Sequence, residues 1–359
     1  MPAEPDVEGR ASARPSVVLT YGVLLNAEHR HADLMRYARR AEELGLDALW
    51  YADEKFYRET YTGLAACALA SSRIALGTGV TEPYTRHPAL TALAIASLDE
   101  LSGGRAVLGY GAGRVGFPQM GIALERPALR LREAIHVIRR LWAGERFTFQ
   151  GETIAWNDAR LNFPTRAGIP IYLAADGPRT LRLAGEVAEG VIVAHCASPL
   201  ILRPKLAHVR RGQEASGRRS GPEVIARLDV SISRSRDAAL DQARLRLARY
   251  LWSQYPSIGY LATHGLTLPA ELDRRLRAAG PFQRTQDRTV FEPFADAIPA
   301  ELVTPIACAG TPEDVAAQLR TVLAAGADGV MAYLQVPAGE TMDGVLRLYG
   351  EVVTRLRGR

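Results

Sequence analysis

Asp53 and Glu54 stand side by side and run straight into Lys55-Phe56-Tyr57-Arg58, which gathers two carboxylates, an amine, a phenol and a guanidinium in one short stretch. Groups of this kind can hold a charge or pass a proton to a reacting centre; an ordinary charged loop has the same composition. Further on, Gly77-Thr78-Gly79-Val80-Thr81-Glu82-Pro83 offers small residues where backbone could approach a flat ligand closely, or a simple Gly/Pro turn. Gly109-Tyr110-Gly111-Ala112-Gly113-Arg114 has a glycine rhythm but is not a dinucleotide fingerprint, because the third glycine is misplaced and no acid follows a second strand about 20 residues later. Ala175-Asp176-Gly177-Pro178-Arg179-Thr180 opens a helix with proline in its first turn, where free backbone N–H groups bind phosphate or where a plain capped helix starts. His195 follows another apolar run, either as a proton carrier or as a structural hydrogen-bonder. No HExxH, P-loop or partnered GxSxG motif is present.

Each of these segments follows a short apolar run. Strands are expected over Ser16–Leu25, Asp47–Ala52, Arg73–Val80, Arg105–Gly109, Pro170–Ala174, Gly190–Ala194, Val224–Ser233 and Gly329–Leu334. Between and after them, apolar residues recur at helical spacing over His31–Leu44, Thr62–Ser71, Ala89–Leu101, Arg126–Leu141, Pro178–Ala188, Asp237–Tyr250, Pro312–Ala325 and Met342–Leu356, with Gly45 stopping the first helix. Alternating strands and helices of this kind specify a parallel sheet with crossover helices, and eight units favour a closed (β/α)8 TIM barrel, whose chemistry sits at the C-terminal ends of its strands. The Pro-, Gly- and charge-rich stretch 253–306 is too long for a connection and reads as an insertion on the barrel rim between strands seven and eight. Residues 1–15 read as a flexible arm ahead of a single barrel over 16–359.

The 359 residues are 47% hydrophobic, 23% charged and 7% aromatic, which excludes a disordered or fibrous protein. Net charge is +5, and of the 44 basic residues only Lys55 and Lys205 are lysine. The arginines are dispersed and lie near acids, which argues against nucleic-acid binding. Cys67, Cys196 and Cys308 are far apart with no CxxC pair, so neither a zinc site nor a disulfide framework is expected and the compartment reads as reducing. No signal-peptide pattern or run of 18 apolar residues occurs, so the expectation is a cytoplasmic protein with a small-molecule substrate and no membrane partner.

Taken together, the segments resemble the bacterial luciferase-like flavin and deazaflavin oxidoreductases, most closely the branch of the F420-dependent methylenetetrahydromethanopterin reductases. The resemblance is carried by Tyr57-Arg58, Ser72 to Thr81, Pro83 to Pro88, Leu98 to Arg105, Gly109 to Gly113, Ile169 to Ala175, Gly177-Pro178, Leu183 to Glu186 and Ala309 to Pro312. It implies a barrel that holds coenzyme F420 or, alternatively, FMN, with Thr78, Gly79, Val80 and Thr81 lining the ring and a bulge at Gly79-Val80, often a cis peptide in the family, behind it. It implies an anionic tail near Gly111, Ala112, Gly113 and Arg114 and near Ala175, Asp176, Gly177 and Pro178, and a homodimer through helices near strands two and three. Where the methanopterin reductases carry an acid at the end of strand one, the alignment of motifs gives Tyr21, and where related deazaflavin enzymes place a carboxylate after the glycine run it gives Arg114. The substrate is therefore expected to differ, in secondary metabolism, with Glu54, His195 or Tyr21 moving the proton. Three functions stay open: hydride transfer from reduced F420 to an imine, activated alkene or carbonyl; FMN-dependent monooxygenation, with a separate flavin reductase as partner; and a flavin-binding barrel without turnover.

Overall fold

The computed structural model describes residues 20–258, 260–263, 265–282 and 287–358. The arm 1–15 lies outside them. Eight parallel strands form the barrel: β1 (Tyr21–Leu25), β2 (Ala48–Tyr51), β3 (Ala75–Thr78), β4 (Ala106–Tyr110), then, beyond the hairpin β5 (Phe147–Gln150) and β6 (Ala155–Ala159), β7 (Ile171–Ala174), β8 (Gly190–Ala194), β9 (Glu223–Ile232) and, after the short β10 (Cys308–Gly310), β11 (Gly329–Gln335). β9 pairs with β8 on one side and β11 on the other, and β11 pairs with β1, which closes the ring. The expected (β/α)8 fold is therefore the observed one. β10 pairs with Val230 to Ile232, beyond the point where β8 stops, and extends only the C-terminal end of β9.

Helices cover the outside: α1 (His31–Glu43), α2 (Thr60–Ala70), α3 (Pro88–Ser102), α4 (Pro127–Trp142), α5 (Pro178–Val187), α6 (Pro199–Ala215), α7 (Arg236–Gln254), α12 (Pro312–Ala324) and α13 (Met342–Leu356), with the short α8 (Tyr260–Thr263), α9 (Ala270–Ala279), α10 (Glu292–Ala295) and α11 (Ala300–Val303) between the seventh and eighth barrel strands. Among these last elements, Trp252 of α7 packs against Phe282, Phe291 and Phe294 and donates its indole N–H to Gly280 O at 2.9 Å. None of the described helices is long and apolar enough to cross a membrane.

Strands buried on both faces need two apolar layers. One lies under the helices; the other fills the barrel interior with Leu24, Ala48, Trp50, Ala75, Val107, Tyr172, Ile192, Ile225 and Met331. The Trp50 and Tyr172 rings meet edge to face with centroids 5.6 Å apart and plug the interior, so the space above them can open only toward the C-terminal strand ends.

Four elements escape the sequence pattern for physical reasons. β5 and β6 are half exposed and too short to show a period. α6 carries Pro204 in its interior, which removes one helical hydrogen bond and breaks its signature. β10 has three residues.

Candidate functional site

A cavity of about 560 Å³ opens at the C-terminal ends of the strands. Its apolar floor is formed by Leu24, Ile192 and Met331, which also belong to the interior layer. At the end of β3, Gly79 and Val80 line it through a cis peptide. Beyond β4, Gly111, Ala112 and Gly113 form the adjoining wall. A Cβ on Gly111 would stand 2.9 Å from Val80 Cγ2, so the glycine keeps this part of the wall open. Gly113 has φ +70° and its Cβ would meet Glu82 Cγ at 2.7 Å.

Beside this wall, Lys55 bridges two carboxylates, with Nζ 3.0 Å from Asp53 Oδ1 and 3.0 Å from Glu82 Oε1. Glu82 is only 2% exposed and also accepts from the backbone N–H groups of Tyr84 and Thr85. Asp53 Oδ2 accepts from Thr81 Oγ1 at 2.6 Å. Glu54, between Asp53 and Lys55, lines the cavity.

Across the barrel, β9 sends Arg227 and Asp229 inward, two and four residues past the interior residue Ile225. Asp229 is buried and meets three partners: Arg246 Nε of α7 at 3.0 Å, Arg227 at 3.4 Å and His195 Nδ1 at 3.4 Å. Burial opposes its ionisation, but Arg227, Arg246 and His195 hold its carboxyl well below the usual range. Burial also lowers the His195 pKa, and Arg227 and Arg246 add to that against the pull of Asp229, which favours the neutral imidazole. The ring lies on Tyr250, centroids 3.9 Å apart. Arg227 and Arg246 stand 5.0 Å and 5.1 Å from the centroid of the Tyr333 ring, whose hydroxyl accepts from Asn26 Nδ2.

A third wall comes from the start of α5. Ala175, Asp176, Gly177 and Thr180 line the cavity, Gly177 is the N-cap without a side-chain cap and Pro178 occupies the first turn, so the helix start, whose first N–H groups have no intrahelical acceptor, stands at the cavity wall. Lys205 of α6 is held by Asp176 and donates to Ala194 O at 3.2 Å. Arg114 reaches away along the rim, donating to Gln254 Oε1 at 2.8 Å. Among the described residues, no group of three or more His, Cys, Asp or Glu side chains is arranged to hold a metal ion.

The cavity therefore brings together Glu54, His195, Gly79, Val80, Gly111, Ala112, Gly113, Arg114, Ala175, Asp176 and Gly177. Four expected residues lie elsewhere. Tyr21 opens β1 rather than ending it; at roughly 3.3 Å per residue it stands on the order of 13 Å from the cavity end. There its N–H donates to Asp47 Oδ2 at 2.9 Å, and Arg357 lies over its ring, so it cannot serve as proton donor at the cavity. The residue that follows β1 into the cavity is Asn26. Thr78 and Thr81 are fully buried and stitch β3 to its neighbours through Gly109 O and Asp53, and Pro178 faces the helix start without lining the cavity. Sequence reasoning missed Asn26, Glu82, Arg227, Arg246, Arg249 and Tyr333 as lining residues. Two charged residues at inward positions of an apolar strand, Arg227 and Asp229, were the available signal.

The family model for luciferase-like monooxygenases matches residues 14–329. The chain belongs to this family. It is 33% identical over 342 residues to the 5,10-methylenetetrahydromethanopterin reductase of Archaeoglobus fulgidus, covering 94% of this chain and 100% of the relative. A 227-residue stretch is 37% identical to the F420-dependent glucose-6-phosphate dehydrogenase of Kineococcus radiotolerans, covering 57% of this chain and 65% of that one. The solved structure of the coenzyme F420-dependent tetrahydromethanopterin reductase of Methanopyrus kandleri superposes with a TM-score of 0.82 at 26% identity, over 94% of this chain and 99% of that one. The family membership read from the segments holds, and this luciferase-like chain is an oxidoreductase.

Proposed function

We propose that the chain is an F420-dependent oxidoreductase acting on an imine, an activated alkene or a carbonyl. The observation that carries this reading is the slot walled by Gly79-Val80 and Gly111 to Gly113, with the N-terminus of α5 on an adjoining wall. A planar ring needs a wall with few and small side chains and an anionic tail needs N–H donors; Gly79, Gly111 and Gly113, with Val80 and Ala112 beside them, offer the first and the start of α5 the second. The likeness to the F420-dependent glucose-6-phosphate dehydrogenase and to the coenzyme F420-dependent reductase of Methanopyrus supports the choice of cofactor.

When bound there, F420 supplies a hydride at C5. The chain supplies the rest. Gly79, Val80 and Gly111 orient the ring, and Gly177 with Thr180 receive the tail. Glu54 is the group that gives or takes the proton accompanying the hydride, a contribution of about 10² to 10⁴ in rate. His195, kept neutral and backed by Asp229, can accept or donate a hydrogen bond at the substrate without adding charge. The apolar floor of Leu24, Ile192 and Met331 keeps water from the reacting carbon.

The test is titration of the purified chain with oxidised F420 and, separately, with FMN. Tight F420 binding with much weaker FMN binding is expected. The reverse preference would transfer the reading to FMN-dependent monooxygenation with a flavin reductase as partner, and binding of neither would remove the cofactor reading.

A homodimer is part of this proposal. Leu90, Leu93 and Leu101 form an exposed apolar stripe at helical spacing on α3, and Leu69 of neighbouring α2 is 73% exposed. Sedimentation should give a dimer that Leu93→Glu dissociates. The three cysteines are free and buried, in keeping with a reducing, cytoplasmic setting.

A further inference from the structure

A second chamber of about 270 Å³ adjoins the cavity. The residues that follow β1 wall it on one side and the end of β11 on another, and α7 closes a third with Gln242, Leu245, Arg246 and Arg249, whose i, i+3, i+4, i+7 spacing puts them on one helix face. Leu24, Asn26, Arg246, Arg249 and Tyr333 line both spaces and so form the wall between them. Within that wall Asn26 Nδ2 donates to the Tyr333 hydroxyl.

Charge does not single out a ligand for this chamber, because Glu28 lines it together with Arg246, Arg249 and Arg288. Hydrogen bonding does. Three carboxamides stand at its walls, those of Asn26, Gln242 and Gln335. Asn26 is engaged by Tyr333, and Gln335 Nε2 donates to Tyr333 O at 3.3 Å. Gln242 Oε1 is buried and accepts no hydrogen bond among the described residues. A buried acceptor left open is costly, and folded proteins keep few of them unless water or a ligand brings the missing donor. The rest of the lining is largely apolar, with Leu25, Leu245, Phe291 and Val336, so a donor placed at Gln242 would stand in an otherwise greasy pocket, the usual arrangement for recognition of a small molecule.

We propose that this side chamber receives the part of the substrate remote from the reacting carbon, and that Gln242 selects a neutral hydrogen-bond donor there, a hydroxyl or an N–H. The route from the cavity runs through the shared wall, past the Asn26–Tyr333 pair. Calling the ligand the substrate rests on the F420 reading above, whereas the chamber and its open acceptor do not.

The test uses pyrrolidinone, which carries an N–H, and N-methylpyrrolidinone, which does not, each titrated by NMR into the full chain with isotope-labelled glutamine side chains, with and without saturating F420. The Gln242 signal is the one that disappears in Gln242→Leu. Saturable movement of that signal by pyrrolidinone is expected, with the N-methyl compound binding about threefold to tenfold more weakly and the difference lost in Gln242→Leu. F420 should leave this binding in place, since Gly79, Val80 and Gly111 do not line the chamber. Gln242→Leu removes an open acceptor while keeping its bulk, so the variant should melt at or above the parent temperature. The proposal is overturned if neither compound moves the Gln242 signal, if the two bind alike, if F420 expels them, or if Gln242→Leu melts well below the parent, which would give the oxygen a purely structural role. Failure of F420 to bind would strike the cofactor reading alone, since the cofactor-free chain is titrated as well.

Discussion

The His195 imidazole lies on the Tyr250 ring with centroids 3.9 Å apart and planes inclined by 27°. Its Nδ1 edge faces Asp229 Oδ2 at 3.4 Å, a long contact rather than a made hydrogen bond. The histidine at the end of β8 is thus clamped on its face and guided at its edge, while two arginines share the same carboxylate. Burial, with Arg227 and Arg246 nearby, disfavours protonation of the ring and outweighs the opposing pull of Asp229.

The His195 resonance should accordingly titrate below its ordinary 6.5 when followed by NMR. Because the folded pKa is lowered, the stability tied to neutral His195 is fully present above pH 6.5 and falls away as pH drops from there toward the folded value. A midpoint at or above 6.5 would sink the assignment of a neutral imidazole.

Asp229→Asn should be far more damaging than its isosteric change suggests. Two partly buried guanidiniums would lose their shared counter-charge, a loss of about 3–5 kcal/mol. Parent stability contributed by Asp229 is present above the ordinary carboxylate range and is lost as pH falls through its lowered native pKa. Urea denaturation across pH should show that acid limb in the parent and not in the variant, and an unchanged midpoint at pH 7 would contradict the pairing.

Much of the frame was legible because periodicity is local: α13 runs over the expected residues, and the barrel strands shift by a few residues at most within the described chain. Motif alignment does not fix where a strand ends: Tyr21 was matched to the end of strand one although the strand runs on to Leu25, and Asn26 just past that end was passed over. Contacts across the ring are equally hidden, since Asn26 and Tyr333 meet over 307 residues and Arg114 and Gln254 over 140. One signal lay in plain view. In a chain whose cations are nearly all arginine, its two lysines both stand at the site, Lys55 between Asp53 and Glu82 and Lys205 beneath Asp176. A compact ammonium fits between two oxygens where a planar fork does not.

Lys55→Met tests that geometry. Removal of the ammonium leaves Asp53 and Glu82, 17% and 3% exposed at their side chains, facing each other without compensation. A loss of about 3 kcal/mol is expected at pH 7. Thermal melts of parent and variant at pH 7 decide it, and a parent-like melting temperature would show that the ammonium does not hold the two carboxylates together.

Gly111→Ala and Gly113→Ala separate the shape of the slot from the strain of the backbone. Gly113 sits at φ +70°, where a Cβ costs about 1–2 kcal/mol before its clash with Glu82 and Phe117 is counted, so its alanine variant should lose stability first. Gly111 has no such backbone demand. Its added Cβ would lie 2.9 Å from Val80 Cγ2 and 3.3 Å from Ala174 Cβ, both on the cavity lining, so the methyl group must displace the wall where a flat ring would rest. The expected outcome is a chain nearly as stable as the parent with F420 affinity reduced by about tenfold, equivalent to about 1.4 kcal/mol. Parent-like F420 affinity in Gly111→Ala would place the ring against another wall of the cavity.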